Sequence, residues 1–177
     1  GPLAMLTLLA ARALAVTVEG ALARSAGSGL DAVLSETKGS LFLWRTRLGR
    51  TVGPPSDFGP RLLARPEPLT VIHTAPPRFI GLYAESLPFD SSIVNLGLSA
   101  VEKDNMLTVN ASKLLFKRIQ VLSAFPVPCL FMADAVRLLG ANPRLFSLVP
   151  TRRIALAELP RIIAETTRRD GKVLVQP

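Results

Sequence analysis

The chain has 177 residues, of which 49% are hydrophobic, so it is long enough for a domain with its own core and too apolar for a disordered chain. Its net charge of +8 favours anionic partners such as a phosphate-bearing cofactor, a nucleic acid or a membrane surface. The single cysteine, Cys129, excludes an internal disulfide framework and a multi-cysteine metal site, and it favours a cytoplasmic location.

The N-terminal segment is predicted to form a helix and then a short strand. Residues 3–14 are rich in Ala and Leu, which are strong helix formers, whereas residues 15–19 switch to β-branched side chains. Arg12 interrupts the apolar run, which therefore falls short of the roughly 18 apolar residues of a membrane span. Residues 20–29 are small and polar and predict a turn, with room for a helical piece, and residues 31–34 predict another short strand.

A proline- and arginine-rich region follows at residues 38–68 and is interpreted as an irregular basic insertion in a single domain, residues 1–177. The alternation in "FLWRTRLGRTV" predicts an edge strand or a hairpin arm, and "GPPSDFGP" predicts a loop. The cluster between Arg45 and Arg65 is open to a nucleic-acid or lipid-facing interpretation. A solvated hairpin is favoured, because no groove-reading motif accompanies the arginines.

The second half of the chain alternates strands with helices. Residues 69–77 predict a strand stopped by two prolines, and residues 91–99 predict a strand that ends at Gly97. A further strand is predicted at 119–124 and a closing strand at 172–176, with helical turns at 79–85 and helices before 119, at 129–139 (Gly140 as its C-cap) and at 158–169. This alternation predicts an α/β layer with a mainly parallel sheet.

The first 24 residues contain part of a dinucleotide-binding pattern. Such a site needs a Gly-rich turn whose amides approach a pyrophosphate, and an acidic residue about 20 positions on for the ribose. Gly1, Leu3 and Ala4 can supply the end of that turn, Glu19 stands where the acid belongs, and Arg24 lies within reach of a 2′-phosphate. The first glycine and first strand of the pattern are missing, and the alternative that residues 1–4 are a cloning scar before Met5 stays open.

A collinear series of segments resembles the cofactor-binding half of the medium-chain dehydrogenase/reductase family. The series consists of "GPLAMLTLLAARAL", "VTVEGALAR", "GLDAVLSE", "LTVIHTAPP", "SSIVNLGLS", "LLFKRIQVLSAF", "ADAVRLL" and "LAELPRIIAETTRRDGKVLVQP". The resemblance implies a Rossmann-like, doubly wound α/β fold and an NAD(P)-dependent oxidoreductase function. It also implies that Thr74, Ala75, Gly97 and Ser99 border the cofactor.

The departures from that family decide how much of its function is expected. Its catalytic zinc ligands and proton relay have no counterpart here, so no catalytic residue is assigned. NAD(H) is favoured over NADP(H), because a carboxylate at Glu19 would repel a 2′-phosphate. Two alternatives stay open: a non-enzymatic binding or assembly protein on a degenerate version of this fold, and a basic domain that binds nucleic acid or protein. A homo-oligomer or a partner chain is compatible with each alternative.

Two further residues are given structural interpretations. His73 is the only histidine and ends a predicted strand, but no nucleophile or carboxylate partner is visible in the sequence, which favours a structural role. Cys129 is expected to be buried and unreactive, since its neighbours are apolar and no cation is near it in sequence. We also expect Gly97 and Ser99 to lie near the end of the strand that carries His73, because the two strands are predicted to be parallel neighbours.

Overall fold

The computed structural model describes residues 2–17, 20–23, 28–37, 40–43, 45–47, 50–53, 66–124, 128–149, 151–164 and 172–176. The helices in these ranges are α1 (Pro2–Ala13), α2 (Ser28–Thr37), α3 (Ala111–Lys117), α4 (Pro128–Ala141), α5 (Pro143–Phe146) and α6 (Leu159–Ala164). The strands are β1 (Gly20–Ala23), β2 (Ser40–Leu43), β3 (Arg45–Arg47), β4 (Arg50–Gly53), β5 (Thr70–His73), β6 (Ser92–Asn95), β7 (Gln120–Ser123), β8 (Thr151–Ala155) and β9 (Lys172–Gln176). Short 3₁₀ helices occupy Pro77–Leu82, Ala84–Ser86, Glu102–Asn105 and Leu156–Glu158.

The chain divides into two compact units. The first comprises residues 1–19, 26–40 and 130–177, and the second comprises residues 20–25 and 41–129. Each unit has its own cluster of buried apolar side chains.

The core of the first unit forms where α1 packs against α2. Met5 and Leu9 lie one turn apart on α1 and are buried with Val33 and Val149. The strand predicted at 31–34 is wrong, because α2 occupies these positions. The physical reason is a helical period that a four-residue window cannot reveal: Leu30, Val33, Leu34 and Thr37 recur at i, i+3, i+4 and i+7, and the last three are buried.

The strand predicted at 15–19 is wrong over residues 15–17, which are the part that the structure describes. The reason is the way in which α1 ends. Ala15 adopts a left-handed φ of 56°. The Val16 amide donates to the Ala11 carbonyl at 2.8 Å, and the Ala15 amide donates to the Arg12 carbonyl at 3.1 Å. This pair of bonds is a Schellman motif, which closes the helix and leaves Val16 in solvent rather than in a sheet. The strand begins instead at Gly20, in the region predicted to be a turn.

The second unit contains a three-stranded parallel sheet in the order β5–β6–β7. The three strands and α3 lie where the sequence predicted them, and both pairings are parallel as expected. One face of this sheet is covered by a core of Ile80, Tyr83, Leu87, Ile93 and Ile119. The antiparallel pairing of β3 with β4 confirms the hairpin arm predicted from the alternation in this part of the sequence. Beyond Gly53, the loop predicted at "GPPSDFGP" and the other arginines up to Arg65 lie outside the described residues.

Two further features differ from the sequence predictions. The parallel partner of β9 is β8, whose sequence "TRRIA" was not recognised as a strand because only Ile154 of its five residues is buried. Gly140 is not a C-cap, since α4 continues through it to Ala141.

The parallel strands, accompanied by helices, form the predicted Rossmann-like α/β fold. Among the described helices, none is long and apolar enough to cross a bilayer.

Candidate cofactor site

The carboxyl ends of β5 and β6 lie side by side. His73 pairs with Asn95 at the end of the parallel register, so the loops that follow both strands leave the same edge of the sheet. The backbone amides of Leu96 and Gly97 both donate to the His73 carbonyl, at 2.8 and 3.1 Å. The expectation that Gly97 lies near the end of the strand carrying His73 is therefore confirmed.

Gly97 allows the two loops to touch. A Cβ atom at this position would lie 1.6 Å from the Ala75 carbonyl oxygen and 2.5 Å from its carbon. Because backbone atoms cannot move aside as a flexible side chain can, any larger residue would separate the loops. The predicted site residues Ala75 and Gly97 are thus in direct contact. Thr74 lies between the end of β5 and Ala75 in the chain.

Asn95 contributes to this edge of the sheet, although it was not among the predicted site residues. Its Oδ1 accepts a hydrogen bond from the Gly97 amide at 3.1 Å, which is the two-residue reach of an Asx turn. The Asn-x-Gly spacing after a β-branched run was the signal available in the sequence. Since the Gly97 amide is used within the protein, the contribution of Gly97 to the site is the close approach of the loops.

Ser99 organises the loop that follows β6. Its amide donates to Asn105 Oδ1 and its carbonyl accepts from Asn105 Nδ2, both at 2.8 Å. Its hydroxyl accepts from the Val101 amide at 3.1 Å and donates to Asp104 Oδ2 at 3.5 Å. These bonds fix the shape of the loop at the same edge of the sheet.

His73 and Tyr83 form a buried pair behind this edge, with exposed fractions of 6% and 3%. The Pro76 carbonyl can only accept, so Nε2 of His73 donates to it at 3.2 Å, and Nδ1 accepts from the Tyr83 hydroxyl at 2.9 Å. Burial lowers the pKa of His73 and raises the pKa of Tyr83. The geometry supports the structural interpretation of this histidine, and the role of Tyr83 as its partner was not predicted.

The remaining predicted site residues divide into two groups. Leu3 and Ala4 lie in the first turn of α1, which begins at Pro2, and Leu3 is 45% exposed. Their amides have no intrahelical acceptor, since the first turn of a helix leaves its N–H groups unpaired within the helix. Gly1, Glu19 and Arg24 lie outside the described residues, as does the side chain of Cys129. Over the described ranges, no cluster of histidine, cysteine and acidic side chains could hold a metal ion.

Comparison with solved structures identifies relatives of this fold. A benzyl alcohol dehydrogenase from Acinetobacter calcoaceticus superposes with a TM-score of 0.69 at 14% identity, over 97% of this chain and 46% of that chain. An acetophenone reductase from Geotrichum candidum, solved with NAD, gives a TM-score of 0.65 at 14% identity, over 100% and 46% of the two chains. The yhdH oxidoreductase from Salmonella enterica, solved with NADP, gives 0.64 at 14% identity, over 98% and 50%.

The chain spans about half the length of the solved proteins that it matches. No protein-family model matches the sequence, and no curated protein matches it significantly. The likeness is therefore one of fold. It confirms, at that level, the resemblance to the medium-chain dehydrogenases and reductases that the segments of the sequence predicted.

Proposed function

We propose that this chain is the nicotinamide-dinucleotide-binding part of an oxidoreductase of the medium-chain type, and that residues 1–177 act as one domain. The observation that carries the proposal is the parallel register of β5 and β6, which brings Ala75 against Gly97 at one sheet edge. Ligands of open α/β sheets bind at the carboxyl ends of the strands. Two of the solved relatives of this fold hold NAD or NADP.

In this proposal each predicted residue has a role toward the cofactor. Amides near Gly1, Leu3 and Ala4 donate to the pyrophosphate, because the first turn of a helix offers unpaired N–H groups and a positive dipole end. Glu19 accepts from the ribose hydroxyls and Arg24 lies beside the 2′ position, so NAD(H) is preferred to NADP(H).

Within the second unit, Thr74, Ala75, Gly97 and Ser99 border the nicotinamide, which supplies or accepts a hydride when bound. We assign no catalytic side chain. A cytoplasmic location belongs to the same proposal, since a chain with a single cysteine suits a reducing compartment.

A non-enzymatic binding or assembly role is the second candidate, and one observation favours it. His73, the only histidine of the chain, has both ring nitrogens hydrogen-bonded within the protein, one to the Pro76 carbonyl and one to the buried Tyr83 hydroxyl. It therefore serves the interior rather than a substrate. Binding of the dinucleotide without turnover would be the expected behaviour of this candidate.

The proposal is tested by calorimetric titration with NAD⁺, NADH, NADP⁺ and NADPH. We expect Glu19→Ala to weaken NAD(H) binding about 5- to 150-fold, because a charge-assisted hydrogen bond contributes about 1 to 3 kcal/mol. NADP(H) binding should weaken less. The matched control is Glu67→Ala, which removes the same charge from an exposed position just before the amino end of β5 and should leave both affinities unchanged. Absence of binding by all four dinucleotides to the folded protein would contradict the proposal.

A further inference from the structure

Arg78 follows the carboxyl end of β5 in the second unit, and two contacts hold its side chain. It belongs to the 3₁₀ helix Pro77–Leu82, which follows the carboxyl end of β5. One guanidinium nitrogen is 2.7 Å from Asp104 Oδ1, and the guanidinium carbon lies 4.8 Å from the centroid of the Phe79 ring. A planar cation that is both ion-paired and stacked on an aromatic face has little freedom left to lose on binding.

The Asp104 carboxylate is placed to hold Arg78 rather than to repel a ligand. The Asp104 side chain is only 15% exposed, and its second oxygen accepts from the Ser99 hydroxyl. Asp104 Oδ1 is buried and makes no well-directed hydrogen bond, so its link to Arg78 is a charge contact on one nitrogen. The pair is therefore not a bidentate one that would use both arms of the guanidinium.

The rest of the guanidinium faces solvent. The Arg78 side chain is 47% exposed, and in the described part of the chain Asp104 is its only ion-pair partner. We propose that Arg78 binds an anionic group, a phosphate or a carboxylate, of a ligand that occupies the carboxyl edge of β5 and β6. The residue is a specificity determinant in this proposal. It deepens the proposed function, since the anion belongs either to the phosphates of the cofactor or to a carboxylate of the substrate.

The test uses calorimetric titration of the whole chain with two probes, inorganic pyrophosphate and malonate. Arg78→Gln should weaken binding of the recognised probe about 10- to 100-fold, as expected for a lost charge-assisted hydrogen bond. Arg118→Gln is the matched control. Arg118 is also exposed and also paired with one aspartate, Asp90 at 2.5 Å, but it lies just before β7, at the amino edge of the sheet.

Two further variants separate binding from folding. The double variant Arg78→Gln with Asp104→Asn removes both charges together, so that no carboxylate is left unpaired, and it should lose the probe while keeping the thermal transition. Arg78→Lys keeps the charge but not the planar fork, and it should recover only part of the affinity.

Loss of pyrophosphate binding in Arg78→Gln supports a phosphate ligand, and loss of malonate binding supports a carboxylate ligand. The proposal is overturned if neither probe binds, or if Arg78→Gln and Arg118→Gln have the same effect. Its failure is distinguishable from that of the proposed function, because dinucleotide binding that Glu19→Ala weakens and Arg78→Gln does not would leave only the proposed function standing.

Discussion

Removing the hydroxyl of Tyr83 should destabilise the second unit. Tyr83→Phe deletes the 2.9 Å hydrogen bond to Nδ1 of His73 while keeping the ring that packs in the core. Both residues are more than nine-tenths buried, so the Nδ1 acceptor would be left without its donor in the interior. A buried group orphaned in this way costs about 1 to 3 kcal/mol. For a domain of this size each kcal/mol lowers the melting temperature by about 2 to 4 °C, so we expect a fall of about 2 to 12 °C.

The assay is thermal and urea unfolding of wild type, Tyr83→Phe, His73→Leu and the double variant. The cycle isolates the pair, because the Pro76 carbonyl loses its donor in both variants that lack His73. We expect a coupling of about 0.5 to 3 kcal/mol between the two substitutions. Equal stability of Tyr83→Phe and wild type, or a coupling near zero, would show that the hydrogen bond between Tyr83 and His73 does not stabilise this edge of the sheet.

Two other predictions concern stability. Burial lowers the pKa of His73 from 6.5, so the unfolded chain binds a proton at this residue more tightly than the folded chain does. The contribution of the neutral His73 to the free energy of unfolding should therefore be fully present above pH 6.5. It should fall as the pH drops below 6.5, by at most about 1.4 kcal/mol per pH unit. His73 is the only histidine, so His73→Gln should flatten the profile between pH 5 and 7, and an unchanged profile would count against the assignment. Gly97→Ala should destabilise the fold by about 1 to 3 kcal/mol or more in urea unfolding, because its Cβ would overlap the Ala75 carbonyl. Gly140→Ala is the comparison, since Gly140 lies inside α4 with open space around the new atom, and it should stabilise the fold by up to about 1 kcal/mol. Equal effects at the two glycines would show that the loop contact is not tight.

The sequence predicted the second unit better than the first. β5 and β6 are rich in β-branched residues and β7 is an apolar segment that contains Val121 after Ile119. The order strand, helix, strand leaves parallel pairing as the expected arrangement. α3 was recognisable for a local reason as well, since the Asn110 side chain caps its first turn by accepting from the Lys113 amide at 3.1 Å.

The strand predictions were wrong where the contacts of a residue in the folded chain outweigh its own conformational preference. Val16 belongs to a β-branched run but lies in a helix-terminating motif that requires a left-handed residue at position 15. Alanine rarely adopts this conformation, so the composition of the segment did not reveal the motif. β8 carries two arginines and one buried residue, so its identity as a strand depends on pairing with β9, which is distant in the sequence.

The candidate site was predictable at its strand ends and not in its loops. The position of Gly97 followed from the strand pattern, but its need for glycine comes from the Ala75 carbonyl, which lies 22 residues earlier. The pairing of His73 with Tyr83 spans a 3₁₀ helix whose path no local rule predicts. Such contacts depend on the packed fold and are therefore invisible in a single sequence.

The proposed function requires the carboxyl edge of β5 and β6 to bind a nicotinamide dinucleotide. Titration of NADH into the ¹⁵N-labelled chain, followed by the backbone amide shifts, tests this requirement residue by residue. We expect saturable shifts concentrated at Thr74, Ala75 and Ser99, with Glu67 and Arg118 at the opposite edge of the sheet unmoved. Absence of saturable shifts, or shifts concentrated at Glu67 and Arg118, would contradict the claim.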